Sequence, residues 1–230
     1  VLTITQEEPV LSSRGERSYD DPCGIARALD RVGERWALLL IRELIFGPKR
    51  FTDLRRGLPG ASQNVLTQRL RELERDGIVE RVRLGPPAGS RAYRLTDLGR
   101  GLEPVLLALA AWGSDLPIRS GGELSVDALM FALRATYQPR TPPSRPITYE
   151  VSLDPELFRI TLDGDQIDVA RGAATEPDTV ITTSPDLLRD LVYAGRPLEP
   201  ELKRGEIMIT GNRQAAKRLF TSFRRPPRPS

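Results

Sequence analysis

The chain has 230 residues, of which 39% are hydrophobic and 28% charged, with a formal net charge of +3. This is ordinary globular composition for one large domain or two small ones, and it excludes wholesale disorder. With no histidine and one cysteine, the sequence excludes Ser-His-Asp and Cys-His catalysis, His-ligated or four-cysteine zinc, an internal disulfide and a C-x-x-C redox centre. The small net charge hides a pattern. Residues 49–94 carry 11 basic and 5 acidic side chains, residues 119–211 carry 10 and 15, and residues 212–230 carry 6 and none. A basic block between acidic segments suits a nucleic-acid contact surface, although a solvated charged face has the same composition.

Residues 1–19 lack sustained periodicity and read as a flexible arm. A helix is expected after Asp21 as N-cap and Pro22 in the first turn, with Ile25, Leu29 and Val32 as its apolar stripe and Gly33 as its end. A second helix, about 34–45, places Trp36, Leu39, Leu40 and Leu44 among its apolar positions and stops at Gly47-Pro48. A third runs about 51–57. Ser62 then caps a helix in which Leu66, Leu70 and Leu73 recur at helical spacing, leaving Gln63, Asn64, Thr67, Gln68 and Arg71 largely outside the stripe. Strands at 78–84 and 91–95 flank a Gly/Pro-rich loop. Thr96 caps a further helix carrying Leu102, Val105, Leu106, Leu109 and Trp112, which Pro104 bends or restarts.

Three helices followed by helix, strand, wing and strand make a winged helix-turn-helix. In that arrangement the Ser62 helix can enter a DNA major groove. The amides of Gln63, Asn64 and Gln68 suit adenine edges, and Arg71 suits guanine N7 and O6. Lys49, Arg50, Arg55 and Arg56 can clamp the backbone, while Arg83 and Arg91 flank the wing loop.

The stretch from Cys23 to Trp112 resembles the HxlR family of winged-helix transcription regulators, within the broader MarR-like group. The resemblance is carried by "ALDRVGERWALLLIRELIFGPKRFTDLRRGLPGASQNVLTQRLRELERDGIVER", "YRLTDLGR" and "LEPVLLALAAW". It implies a homodimeric, sequence-specific regulator of double-stranded DNA, with repression the expected mode. It also implies dimerisation through the terminal helices, carried here by Ile25, Leu29, Leu102, Val105, Leu106, Leu109 and Trp112. Some members sense electrophiles or oxidants through a cysteine placed like Cys23. A helix start favours a thiolate there, Asp20 and Asp21 oppose it, and a plain packing role is the alternative.

After a Gly/Ser/Pro-bearing crossing at 114–122, a second domain is expected. It comprises a helix at about 126–137, strands at 147–153, 157–162, 166–170, 179–183 and 206–210, and helices at 185–194 and 212–223. The Asp163-Gly164-Asp165 turn between alternating runs signals a hairpin, which explains its acidic pair more simply than a metal site does. The run "PDTVITTSPDLLRDLVYAGRPLEPELKRGEIMITGNRQAAKRLFTSF" resembles sterol-carrier-protein-like lipid-binding domains, whose helix-covered sheet encloses an apolar tunnel without obligatory catalytic residues. That resemblance implies an apolar small-molecule effector, with Tyr149, Phe158, Ile160, Leu188, Leu191, Ile207 and Phe220 as pocket candidates. The same residues would equally fill a dry core.

The expected fold class is α+β, with an arm at 1–19, the winged helix at 20–118, a sterol-carrier-protein-like α/β sandwich at 119–223 and a disordered tail at 224–230. No cofactor, metal or enzymatic activity is expected. Nothing approaches a membrane span, and Glu7 and Glu8 stand where a signal peptide needs basic residues, so a soluble cytoplasmic protein is expected. The alternative function is a carrier of apolar ligands whose winged helix serves protein interaction.

Overall fold

The computed structural model describes residues 18–85, 89–117, 124–225 and 227. The expected arm up to residue 17, the wing-loop tip at 86–88, the crossing at 118–123 and the last tail residues lie outside the described residues.

The first helix, α1 (Gly24–Val32), is capped by Cys23 rather than Asp21: the Cys23 sulfur accepts from the Ala26 amide. Asp21 instead turns back to accept from the Cys23 amide at 2.8 Å. Ahead of it, the Tyr19 amide donates to Asp30, so the end of the expected arm is tied to α1. Helix α2 (Ala37–Leu44) starts later than its apolar pattern suggests, because Trp36 adopts a left-handed φ of 79° that cannot continue a helix. The Trp36 ring lies against Gly60, where an added Cβ would sit 3.0 Å away. Helix α3 (Phe51–Gly57) follows, and α4 (Gln63–Arg75) begins where Ser62 Oγ accepts from the Val65 amide.

Strands β1 (Val79–Arg83) and β2 (Arg91–Leu95) pair antiparallel, and Lys49 adds a backbone bridge to Tyr93. The expected helix after Thr96 divides into α5 (Asp97–Arg100), which Thr96 caps, and α6 (Glu103–Gly113), which Pro104 restarts at its first turn. Val32, Leu40, Ile41, Leu44, Leu54, Leu66, Leu70, Leu73, Val79, Leu95 and Leu106 close this core.

The second unit opens with α7 (Val126–Thr136), capped by Ser125. Its sheet comprises β3 (Ile147–Leu153), β4 (Glu156–Asp163), β5 (Gln166–Arg171), β6 (Thr179–Thr183) and β7 (Ile207–Gly211), in the order β5-β4-β3-β6-β7. Only the β3–β6 pair is parallel; the other neighbours are antiparallel. Strand alternation turns Tyr149, Val151, Leu153, Phe158, Ile160, Leu162 and Ile181 to one buried face. That face is covered by α7, by α8 (Pro185–Arg189) continuing as a π turn (Asp190–Ala194), and by α10 (Arg213–Thr221). A short helix, α9 (Leu198–Arg204), lies where no element is expected from the sequence.

The two units share an interior. Phe131 of α7 belongs to the winged-helix core, whereas Leu129, Met130 and Leu133 of the same helix belong to the sheet core. Nor do Arg224 and Arg225 behave as tail. The Arg224 guanidinium donates to the Ala111 carbonyl near the end of α6, and Arg225 donates to the Val192 carbonyl in the π turn.

Candidate nucleic-acid interface

The geometry of α4 follows from its burial. Leu66, Leu70 and Leu73 are fully packed, so the opposite face, at about 100° per residue, presents Asn64, Gln68, Arg71 and Arg75. Asn64 and Arg71 are exposed. Gln68 is exposed too, but its amide donates to Glu72 one turn on, and the half-buried Thr67 hydroxyl donates back to the Gln63 carbonyl. Gln63 faces α3, where its side-chain oxygen receives Arg55 at 3.4 Å. Ser62 is spent on capping. The leucine spacing does not single out Arg75, yet at the helix end it completes the exposed row.

Ion pairing sorts the arginines around this helix. Arg69 is held by Glu34 and Glu72, Arg81 by Glu74 at 2.9 Å, and Arg94 by Glu80 at 2.8 Å. Arg56 makes a loose, exposed pair with Asp53 at 3.5 Å. Among the described residues, Arg50, Arg71, Arg83 and Arg91 have no acidic partner and are exposed. Arg83 and Arg91 face one another across the β1–β2 ladder. Like charges in that register repel, so they favour a site that brings an anion between them. A polar helix face beside unneutralised guanidiniums can accept a phosphate backbone and read base edges.

Lys49 does not join them. Its ammonium points inward and binds Glu43 and Asp127, with the side chain only 13% exposed. The sequence shows a lysine in a basic run. The fold spends that charge on two buried carboxylates, and Lys49 leaves the DNA-clamp set.

Comparison with known proteins agrees with this geometry. Residues 31–119 match the family model of the HxlR-like helix-turn-helix. Among similar proteins is the HTH-type transcriptional regulator YdeP of Bacillus subtilis, 42% identical over 91 residues that cover 40% of this chain and 71% of that protein. YybR of the same organism is 42% identical over 91 residues, covering 40% and 73% respectively. The chain belongs to the HxlR-like helix-turn-helix family. It is a DNA-binding transcriptional regulator, and the family is one of regulators rather than enzymes. A solved structure of the redox regulator HypR in its oxidized form is 40% identical over a match that covers 41% of this chain and 97% of that chain, with a TM-score of 0.38.

On this HxlR-like fold the remaining candidate residues separate clearly. Ile25 is 74% exposed and Trp112 is 64% exposed, and Leu29, Val105 and Leu109 are exposed with them. Val105, Leu109, Trp112 and Leu116 follow one stripe of α6 and its extension, an apolar surface of the kind that marks an interface. Leu106 and Leu102 turn the other way: Leu106 is buried in the core, and Leu102 packs against it half-buried. These two therefore support the helix from beneath. Cys23 is exposed at the α1 cap.

The ligand-pocket candidates Tyr149, Phe158, Ile160, Leu188, Leu191, Ile207 and Phe220 all belong to one continuous buried core. The Tyr149 hydroxyl donates to the Ala215 carbonyl at 3.0 Å, and burial pushes its pKa well up, keeping it neutral. None of the seven lines either of two shallow surface cavities. One, of about 170 Å³, lies between Arg145, Ile147 and the start of α10. The other, of about 940 Å³, lies between the Ser18–Tyr19 segment, α1 and α4. No helix among the described residues is long and apolar enough to cross a membrane.

Proposed function

We propose that the chain binds operator DNA as a two-fold homodimer, inserting α4 in the major groove and setting the wing arginines on the flanking backbone. The observation that carries this reading is the ion-pair pattern. Arg50, Arg71, Arg83 and Arg91 have no acidic partner among the described residues, whereas Arg69, Arg81 and Arg94 are paired. Asn64 and Arg71 read bases; Gln63, Thr67, Gln68, Ser62, Arg55 and Arg56 border the contact. Ile25, Leu29, Val105, Leu109 and Trp112 form the dimer surface. Repression is the expected mode, because a dimer seated on an operator excludes other proteins from it, and the cytoplasm is the expected location.

Binding is tested by fluorescence anisotropy with the gene's own upstream region. Specific binding should weaken as salt rises and should lose its preference for that sequence on Asn64→Ala or Arg71→Ala substitution. Equal affinity for operator and random DNA in the unaltered protein overturns the reading.

The second unit serves as an effector module of sterol-carrier-protein-like design. Its support is a sheet with one largely apolar face covered by helices. An apolar ligand regulates only if it binds the DNA-competent and incompetent states unequally. If fatty acids and sterols leave the operator affinity unchanged, the effector role fails. The exposed Cys23 thiol at the α1 cap is a second input. Serine also caps helices, so Cys23→Ser should fold normally and abolish any response to diamide; a retained response removes the thiol from the mechanism.

A further inference from the structure

We propose that α7 transmits the state of the sheet unit to both the DNA-reading and the dimer-forming parts of the winged helix. This rests on the regulator reading for its consequence, but the coupling itself is a property of the free protein.

The helix is apolar nearly all round because it is buried on two sides. At about 100° per residue, Phe131 and Leu133 point about 160° apart, and each completes a different core. Polar contacts leave α7 in three directions. At its start, the Asp127 carboxylate is shared between Lys49 of the winged helix and Arg171 of β5, the latter at 2.7 Å. Lys49 continues to Glu43 at 2.8 Å, and the Ser125 hydroxyl that caps α7 also donates to Glu43 at 2.6 Å. Further along, Arg134 pairs with Glu103 at the start of α6. At its end, the Thr136 carbonyl accepts from the Arg224 amide, while the Arg224 side chain holds the far end of α6.

Each of these contacts reaches a functional element. Lys49 lies two residues before α3 and bridges through its backbone to Tyr93 of the wing strand β2. Glu43 sits in α2 against Gly57 at the end of α3, so close that an added Cβ there would overlap its carboxylate. Helix α6 carries the exposed stripe that includes Val105, Leu109 and Trp112. An aromatic contact runs in parallel: Phe46 meets Phe158 of β4 edge-on at 5.7 Å, and the Arg171 guanidinium lies 4.7 Å over the Phe158 ring.

Buried carboxylates tolerate little displacement from their cations, since a charge left unpaired in the interior is strongly unfavourable. A shift of β5 or of the sheet core therefore drags Asp127, and Lys49 must follow. Close-packed interiors pass on such shifts as discrete rearrangements rather than absorbing them.

The test uses hydrogen exchange by mass spectrometry on the full chain without DNA. Ile160→Val makes a small vacancy in the sheet core. Coupling predicts at least tenfold faster exchange in α3 (Phe51–Gly57) and in α6, as well as in the sheet. The acceleration in α3 should vanish when Lys49→Met is added. Should Lys49→Met fail to fold, Phe131→Leu serves in its place, because it leaves the ion pairs intact and loosens the apolar link. Acceleration confined to the sheet unit in the Ile160→Val protein overturns the proposal, as does unchanged transmission in both second variants. Operator binding is measured in parallel. Transmission without specific DNA binding would sink the regulator reading while leaving the coupling in place, and specific binding without transmission would do the reverse.

Discussion

Replacing Arg83 and Arg91 together by glutamine tests the wing. Their guanidiniums face one another across the β1–β2 ladder with no acidic partner among the described residues. Each phosphate contact contributes about 0.9 to the slope of log affinity against log salt, so two residues on each protomer of the proposed dimer contribute about 3.6. Over a fourfold rise in salt, from about 50 to 200 mM, the variant should lose about 150-fold less affinity than the unaltered protein. Arg81→Gln with Arg94→Gln is the matched control, removing as many charges from the same strands. These two are already neutralised by Glu74 and Glu80, so their slope should change by less than about 1. The assay is anisotropy titration on a labelled operator duplex at four or more salt concentrations. Equal slope changes in the two double variants would show that total charge, and not the unpaired arginines, governs binding.

Ser125→Ala removes the α7 cap and the hydroxyl bond to Glu43. A cap contributes about 1 kcal/mol and a bond to a buried charge about 1.5–3, so urea unfolding should show a loss of about 2–4 kcal/mol; a loss below about 0.5 refutes the assignment. Asp178 accepts from the Thr148 amide and from Arg145, and these bonds hold its carboxyl below its ordinary value. Its folded pKa is the lower one, so its contribution is complete above the unfolded value of about 4 and is lost as pH falls through the folded value. The urea midpoints of Asp178→Asn and the unaltered protein should therefore differ at neutral pH and converge in acid. Trp112→Glu puts a charge on the exposed α6 stripe and should yield monomers in sedimentation velocity with the fold intact by circular dichroism; an unchanged dimer moves the interface elsewhere.

Local chemistry made much of the winged helix readable in advance. Ser62 caps where a serine before a leucine stripe should, and Pro104 restarts a helix as a missing amide requires. What escaped depended on neighbours distant in sequence. Nothing local marks Lys49 as the partner of Asp127, 78 residues away, or sends Arg224 to the end of α6. The late start of α2 is a backbone conformation at Trp36 that no periodicity records. Cys23, a residue type that rarely caps a helix, takes the cap in place of Asp21, whose carboxylate accepts from the Cys23 amide instead. Helix α9 has only Leu198 and Leu202 to offer the core, and prolines at 197 and 200 disguise it as a loop.

Phe131 lies beyond residue 119, where the family match stops, yet it fills the winged-helix core. A graft of this DNA-reading module cut at the crossing would thus carry an aromatic-sized hole. The smallest portable version should run to Thr136, the end of α7. A gene fusion between two ready-made modules would leave each interior complete; here one has come to depend on a side chain supplied from across the seam.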